Sequence, residues 1–220
     1  MTKPLSLPYA VLTGDIIGST GFAAEKVEQA LAVIAGCASD HAVEQADIAP
    51  KFTRFRGDGW QFVLSYVPLA LPLALRLQAH LAGRPDLPKT RVSIGIGAVT
   101  SFGDHDLARA SGPAFVASGR GLDWLETRGG TIAIHGPNLT YHHQIIAELF
   151  ELRMRQWTPP QAEAAALLME GRLRTGREIA RHLRISEQAV SYRLAGADAR
   201  KMLELLENYR TEFSEGFANG

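Results

Sequence analysis

Cysteine is all but missing from this chain: Cys37 is the only one among 220 residues. An internal disulfide is thereby excluded, and no CxxC pair exists to hold zinc. A reducing, cytoplasmic setting is the expectation. Net charge is missing too, with 23 basic residues against 23 acidic ones. The whole molecule therefore exerts no pull on nucleic acid, and any such affinity must come from a local patch. Met1 to Pro8 lacks the apolar core of a signal peptide. The most apolar run, Val67 to Leu81, is too short to span a bilayer and carries Pro72, Arg76 and Gln78. It reads as a buried helix, and no membrane is expected as a partner. Repeats and low-complexity tracts are absent. What remains is ordinary globular composition, 46% hydrophobic and 21% charged. The length allows one large domain or one medium domain plus a small one.

Tyr9 to Thr13 is a short apolar run ending at Gly14-Asp15, the mark of a buried strand. From Phe22 to about Glu44, Val27, Ala30, Leu31, Ile34 and Ala35 recur at helical spacing, which predicts a helix capped by a Ser or Thr near its start. Lys51 to Phe55 and Gln61 to Tyr66 are strand-like and flank Gly57-Asp-Gly59, a tight hairpin. Arg91 to Thr100 is a further strand, whose Gly95 and Gly97 imply close packing against its backbone. A helix over Gly112 to Glu126 and a strand over Thr131 to Ile134 complete the order β-α-β-β-α-β-α-β. The predicted fold class is α/β (α+β): a split βαβ sheet of ferredoxin-like type covered by helices, followed by a small all-α domain. Beyond Pro137 only helices are expected. One, capped by Asn138 or Thr140, runs to about Trp157, and another opens at Thr158-Pro159 and runs to about Glu170. The predicted domains are residues 1–150, with the connecting helix, and residues 151–220. The last residues, Ala218 to Gly220, are expected to fray.

The second domain carries the clearest local signals. Thr175 with Glu178 forms a capping box that starts a helix, on which Ile179, Ala180 and Leu183 form the apolar face. Ile185 fills the turn, Ser186 caps the next helix, and Val190 and Leu194 face inward. Thr175 to Leu194 resembles a helix-turn-helix, and the likeness to DNA-binding domains of the sigma-factor region-four and response-regulator type extends back to Trp157. Arg184 stands in the turn where many such units have glycine. Glu187, Gln188, Ser191, Tyr192 and Arg193 are expected on or near the outer face of the second helix. Gln suits adenine, Arg suits guanine or phosphate, and Ser and Tyr suit phosphate oxygens. Thr175, Arg177 and Ser186 join them as candidate contacts to double-stranded DNA. Arg172, Arg174, Arg177, Arg181 and Arg184 form a local basic patch. The plainer reading is a helical bundle that binds another protein.

In the first domain, Asp15-Ile-Ile-Gly-Ser-Thr20 and Phe55-Arg-Gly-Asp-Gly-Trp60 hold the chemistry. Asp15 ends a strand and Asp58 tips a hairpin, so the two can meet on neighbouring strands. Two carboxylates with the Ile16 carbonyl make a hard-oxygen site suited to Mg²⁺ or Mn²⁺. Gly18, Ser19 and Thr20 offer backbone N–H groups at a helix start, where phosphate is favoured. The plainer reading makes both aspartates turn residues.

These two motifs, followed by the Ile94-Gly-Ile-Gly97 strand, resemble class III nucleotidyl cyclases in order and spacing over about residues 8–136. The fusion to a helix-turn-helix also resembles the SatD-like group of bacterial proteins. The cyclase resemblance implies that Asp15 and Asp58 are metal carboxylates, that the ligand is a purine nucleotide, and that the active form is a homodimer with sites at its interface. It places Arg54 at the purine-selecting position and Arg120 at the transition-state arginine. The sequence also departs from that pattern. Val116 occupies the place of an asparagine and cannot hydrogen-bond a ribose. Arg109 occupies that of an aspartate. Losing one transition-state hydrogen bond costs roughly 10²–10³ in rate.

The expectation is a DNA-binding transcriptional regulator with a degenerate cyclase-like, dimerising and nucleotide-sensing N-terminal domain. The alternative is an active metal-dependent purine nucleotidyl cyclase with a regulatory helix-turn-helix. An adaptor without ligand or DNA is a third reading. His135, the His142-His143 pair, Cys37 and the three tryptophans are assigned to packing or surface. Met202, Leu205, Leu206, Tyr209 and Phe213 mark a final helix whose apolar side is core or dimer seam.

Overall fold

A computed structural model describes residues 8–44, 52–55, 57–103, 107–137 and 139–218, with backbone only for 40–44 and 216–218. Met1 to Leu7, Lys51, Asn138 and the last two residues lie outside that set. The order is β1 (Tyr9–Ile16), α1 (Ala24–Glu44), β2 (Thr53–Phe55), β3 (Gly59–Leu64), α2 (Ala70–Ala82), β4 (Thr90–Gly97), α3 (Pro113–Arg128), β5 (Ile132–His135) and α4 (Tyr141–Met154). Four more helices follow: α5 (Pro159–Glu170), α6 (Gly176–Leu183), α7 (Glu187–Gly196) and α8 (Ala199–Ala218).

The five strands form one sheet in the order β2-β3-β1-β4-β5. β1 is antiparallel to both β3 and β4, β2 is antiparallel to β3, and β5 is parallel to β4. β1 and β2 thus run parallel with β3 between them, which is the split β-α-β arrangement, and β5 is added at one edge. Strand alternation sorts the side chains. Leu12, Trp60, Phe62, Ile94 and Ile134 face the main core with α1 and α2. Val11 and Val63 face the other way, beneath Ala114 of α3. Gly95 lets α3 lie close, since a Cβ there would collide with the Ala114 carbonyl and the Ser118 amide.

The C-terminal helices continue the same core rather than starting a second one. Ala162, Ala165, Leu168, Val190, Leu194 and Leu206 are buried in one cluster with α2. Gly83, at the end of α2, meets the backbone of Glu163 in α5, and His80 pairs with Glu170 at 2.8 Å.

Local signals set several helix ends. Thr158 and Thr175 each close a capping box, with Gln161 and Glu178 respectively, and Ser186 caps α7 through the Ala189 amide at 3.1 Å. The expected Ser or Thr cap of α1 is not found. Ala23 precedes that helix, and Ser19 and Thr20 lie earlier, in a one-turn 3₁₀ segment over residues 19–21. His143 is likewise no surface residue: it is half-buried against Tyr209, 3.1 Å from its hydroxyl, with Phe213 packed on its ring. Of the final-helix residues, Met202, Leu206 and Phe213 are buried, while Leu205 is exposed.

Candidate functional site

Antiparallel pairing brings the two N-terminal motifs to one end of the sheet. Asp15 lies opposite Gly59 on β3 and opposite Arg91 on β4. Asp58 immediately precedes Gly59, and its carbonyl accepts from the Ile16 amide at 3.3 Å. The Asp15 carbonyl accepts from the Thr90 hydroxyl at 2.6 Å, and Thr90 in turn accepts from the indole of Trp60 at 2.9 Å. A buried tryptophan therefore helps to fix the backbone on which Asp15 stands.

The side chains here are already engaged. Asp15 Oδ2 accepts from Arg91 Nη1 at 2.6 Å, and Asp58 Oδ2 accepts from the Ser19 hydroxyl at 2.5 Å. Asp15 Oδ1 is buried without a hydrogen-bond partner. Burial pushes the Asp15 carboxyl above its ordinary value, Arg91 opposes this, and the charges of Glu126 and Asp58 add to the rise. A buried oxygen without a donor, beside other carboxylates, is chemically what a hard divalent cation relieves. Among the described residues, no three His, Cys, Asp or Glu side chains gather to hold a metal ion. The unpartnered Asp15 Oδ1 beside the Asp58 charge is oxygen chemistry that suits a Mg²⁺-like ion, for which the Ile16 carbonyl is the expected backbone ligand. The Ile16 side chain is buried, so only its backbone is available for this.

Gly18, Ser19 and Thr20 form the turn above this pair, with Gly18 in the left-handed region at φ 65°. The turn is a single 3₁₀ segment separate from α1, so its amides do not sit at the start of the long helix. Arg54 is held by Glu28 of α1 through two bonds of 2.7 Å, and it also donates to the Gly57 carbonyl at 3.2 Å. Arg120 and Val116 are exposed on α3, and Arg109 is exposed in the segment before it.

α6 and α7, joined by residues 184–186, form the second candidate. Arg184 takes the left-handed conformation, φ 56°, that glycine takes without strain. Val190 and Leu194 are buried as expected, and Gln188, Ser191 and Tyr192 share the outer side, with Tyr192 71% exposed. Arg193 departs from the expected outer face. It is half-buried and pairs with Glu163 of α5 at 2.9 Å. Arg177 pairs with Glu187 at 3.1 Å, which ties α6 to α7, and the side chains of Thr175 and Ser186 serve as caps. Arg181 and Arg184 are exposed beside them.

Sequence reasoning missed Arg91, Glu126 and the polar seam under α3. In that seam Gln61 donates to Thr13 at 2.7 Å and Thr13 donates to Ser118 at 2.8 Å. Strand alternation alone puts Thr13 and Asp15 on one face, but which residue of β4 meets Asp15 depends on register.

No family model and no curated protein matches the chain. Comparison with solved structures finds partial likenesses. The active GGEEF domain of a diguanylate cyclase from Vibrio cholerae aligns at 20% identity and a TM-score of 0.40, over 58% of this chain and 82% of that one. A bacterial light-regulated adenylyl cyclase aligns at 14% identity and 0.39, over 69% and 81%. The guanylyl cyclase Cya2 aligns at 17% identity and 0.35, over 53% and 70%. Likenesses of this size do not bear on what the side chains do. Among the described residues, no helix is long and apolar enough to cross a membrane.

Proposed function

We propose that the chain is a DNA-binding transcriptional regulator that acts as a homodimer in the cytoplasm. In this reading α7 enters the major groove and the carboxylate end of the sheet senses a purine nucleotide with Mg²⁺ or Mn²⁺. The observation that carries the reading is the outer side of α7. Gln188, Ser191 and Tyr192 stand exposed together on a helix whose start is capped and whose other side is buried. Such a row suits base edges and phosphates, and Arg181 and Arg184 supply charge beside it. Arg193 acts here through Glu163, holding α7 on α5, and not as a free reader of guanine. Selecting bound duplexes from a random pool tests this. A defined site, bound with steep salt dependence and loosened at one base pair by Gln188→Ala, is the expected result. Equal binding of every duplex, or none, would sink it.

In the sensing half, Asp15, Asp58 and the Ile16 carbonyl would hold the cation, which would neutralise phosphate charge when bound. Arg91 positions Asp15 and leaves its second oxygen to the ion. Engagement of Arg54 by Glu28, and valine at position 116, weigh against efficient turnover. The second reading, an active cyclase, is favoured by one observation, the donorless Asp15 oxygen beside Asp58. Incubation with ATP or GTP and Mn²⁺ separates the two. Cyclic product that disappears in Asp15→Ala establishes the enzyme, whereas nucleotide binding without product establishes the sensor.

A further inference from the structure

Among the described residues, Arg76 is the one basic side chain that is buried, with 7% of its surface exposed. It stands on α2, within the most apolar run of the chain. A buried guanidinium ordinarily meets a carboxylate, because taking an unpaired charge out of water is expensive. Arg76 has none at ion-pairing distance among the described residues. Its Nη2 donates to the Cys37 carbonyl of α1 at 2.9 Å. Its Nε is buried without an acceptor, and Nη1 has none among the described residues. A guanidinium carries five N–H donors, so most of the bonding capacity of Arg76 is unused.

The residue lines a cavity of about 240 Å³ between α2, α5 and α8. Pro72, Leu73 and Arg76 share one side of α2, at spacings of three and four. Leu168 of α5 and Leu203 and Leu206 of α8 complete the apolar walls. Two carboxylates also line the cavity, and both are already taken. Glu170 bonds to His80 at 2.8 Å, and Glu207 pairs with Arg210 at 2.6 Å. The Glu170 carboxyl lies below its ordinary 4.5 chiefly because of that His80 bond, and Arg76 lowers it only through its charge. The cavity thus joins apolar walls to a buried guanidinium with donors to spare, and Arg210 adds a second one.

We propose that this cavity is a binding site for a small organic carboxylate with an apolar body, anchored by Arg76. The carboxylate accepts from the N–H groups of Arg76 that lack an acceptor, a charge-assisted contact. The apolar body lies against the leucines, as in ligand pockets generally. There is room for roughly eight heavy atoms at about 30 Å³ each, about the size of hexanoate. An amine suits the cavity poorly, because both carboxylates have partners and two guanidiniums line the space. Inorganic phosphate satisfies the charge but leaves the apolar walls uncovered. The site also joins two parts of the fold, since α2 packs on the sheet while α5 and α8 both pack on α7. An occupant that ties α5 and α8 to α2 therefore bears on how α7 is held. That consequence rests on the DNA-binding reading; the site itself does not, and it shares no residue with the carboxylate end of the sheet.

Isothermal titration calorimetry of the full chain with hexanoate, hexylamine and inorganic phosphate tests the assignment. One hexanoate per chain is expected, with a dissociation constant of about 0.1–1 mM, ordinary for a ligand this small. Hexylamine and phosphate should bind at least ~10-fold more weakly. Arg76→Met should weaken hexanoate about 10- to 100-fold, the worth of a hydrogen bond to a charged group. Leu203→Trp fills the cavity from α8, leaves Arg76 in place, and should abolish binding as well. Circular dichroism of both variants should match the wild type; if Arg76→Met does not fold, Leu203→Trp decides alone. No hexanoate binding at about 10 mM, binding that survives Leu203→Trp, or phosphate or hexylamine held as tightly as hexanoate would overturn the proposal. Hexanoate binding by a chain that selects no duplex would support the site and remove only the DNA-binding reading.

Discussion

The carboxylate end of the sheet and the α6–α7 unit share one construction and differ in how much of it is left to bind. At the sheet end, Asp15, Asp58 and Arg54 each have an internal partner; only Asp15 Oδ1 is left open, and a ligand that engages Asp58 Oδ2 or Arg54 must displace Ser19 or Glu28. On α7 Gln188, Ser191 and Tyr192 are exposed, while the helix is held by the Ser186 cap at its start, by Arg193 on Glu163 and by buried Val190. Binding at the first region thus carries a rearrangement cost that binding at the second does not. This difference suits a switch at the sheet end and a fixed reading head at the other.

The largest test of the contrast removes the support of the first region. Gly95→Ala places a methyl against the backbone of α3, so we expect a loss of about 3 kcal/mol or more in chemical denaturation. α7 shares the same core, so duplex binding should fall with the folded fraction. A smaller effect is expected from Gln188→Ala and Tyr192→Ala. Each should cost about 1–3 kcal/mol in affinity for a selected duplex and leave unfolding within about 0.5 kcal/mol of wild type. Equal losses in binding and stability would show these residues to be structural and would erase the contrast.

Next comes the α6 cap. Thr175→Ala should cost about 1 kcal/mol in thermal or urea unfolding. The Glu178 carboxyl in the same box lies below its ordinary 4.5, because the Thr175 amide and hydroxyl and the Arg174 amide donate to it. Its folded value is depressed, so its contribution is present above pH 4.5 and is lost as pH falls through the folded value. Glu178→Gln should flatten that acid limb in a pH series of melting temperatures. The smallest effect concerns Asp15, whose carboxyl is raised from 3.8 by burial. A raised folded value means that stability declines as pH climbs from 3.8 through that value, and a bound cation cancels the decline. The Mn²⁺-induced gain in melting temperature should therefore grow over the same climb and vanish in Asp15→Ala. A gain independent of pH and of Asp15 would place the ion elsewhere.

Local chemistry was legible before the structure. Thr175 with Glu178, Ser186, and Thr158 before Pro159 each act within one helical turn, so three or four residues suffice to read them. Gly95 announced that something lies close against its strand, because a missing side chain on a buried strand needs a reason; the structure identifies it as α3. Where a partner lies far along the chain, the sequence was mute. Arg91 meets Asp15 through a strand register, and Arg193 meets Glu163 through the packing of α7 on α5. The expected cap of α1 failed because Ala23 stands before the helix, while Ser19 lies in the preceding turn and donates to Asp58, 39 residues away. The exposure of Tyr141, Ile145, Leu149 and Leu152 escaped notice because α4 is apolar on two sides, and which side lies outward is settled by α2 and β5.

The burial of α2 beneath α5 has a consequence for how the protein is made. Residues 70–82 leave the ribosome with an apolar flank whose cover, residues 159–170, has not yet been synthesised. At ordinary elongation rates that interval lasts roughly 5–20 s, long compared with the collapse of the sheet. During it the nascent chain presents an uncovered apolar surface, the kind of exposure that makes partly folded chains prone to aggregate until α5 arrives.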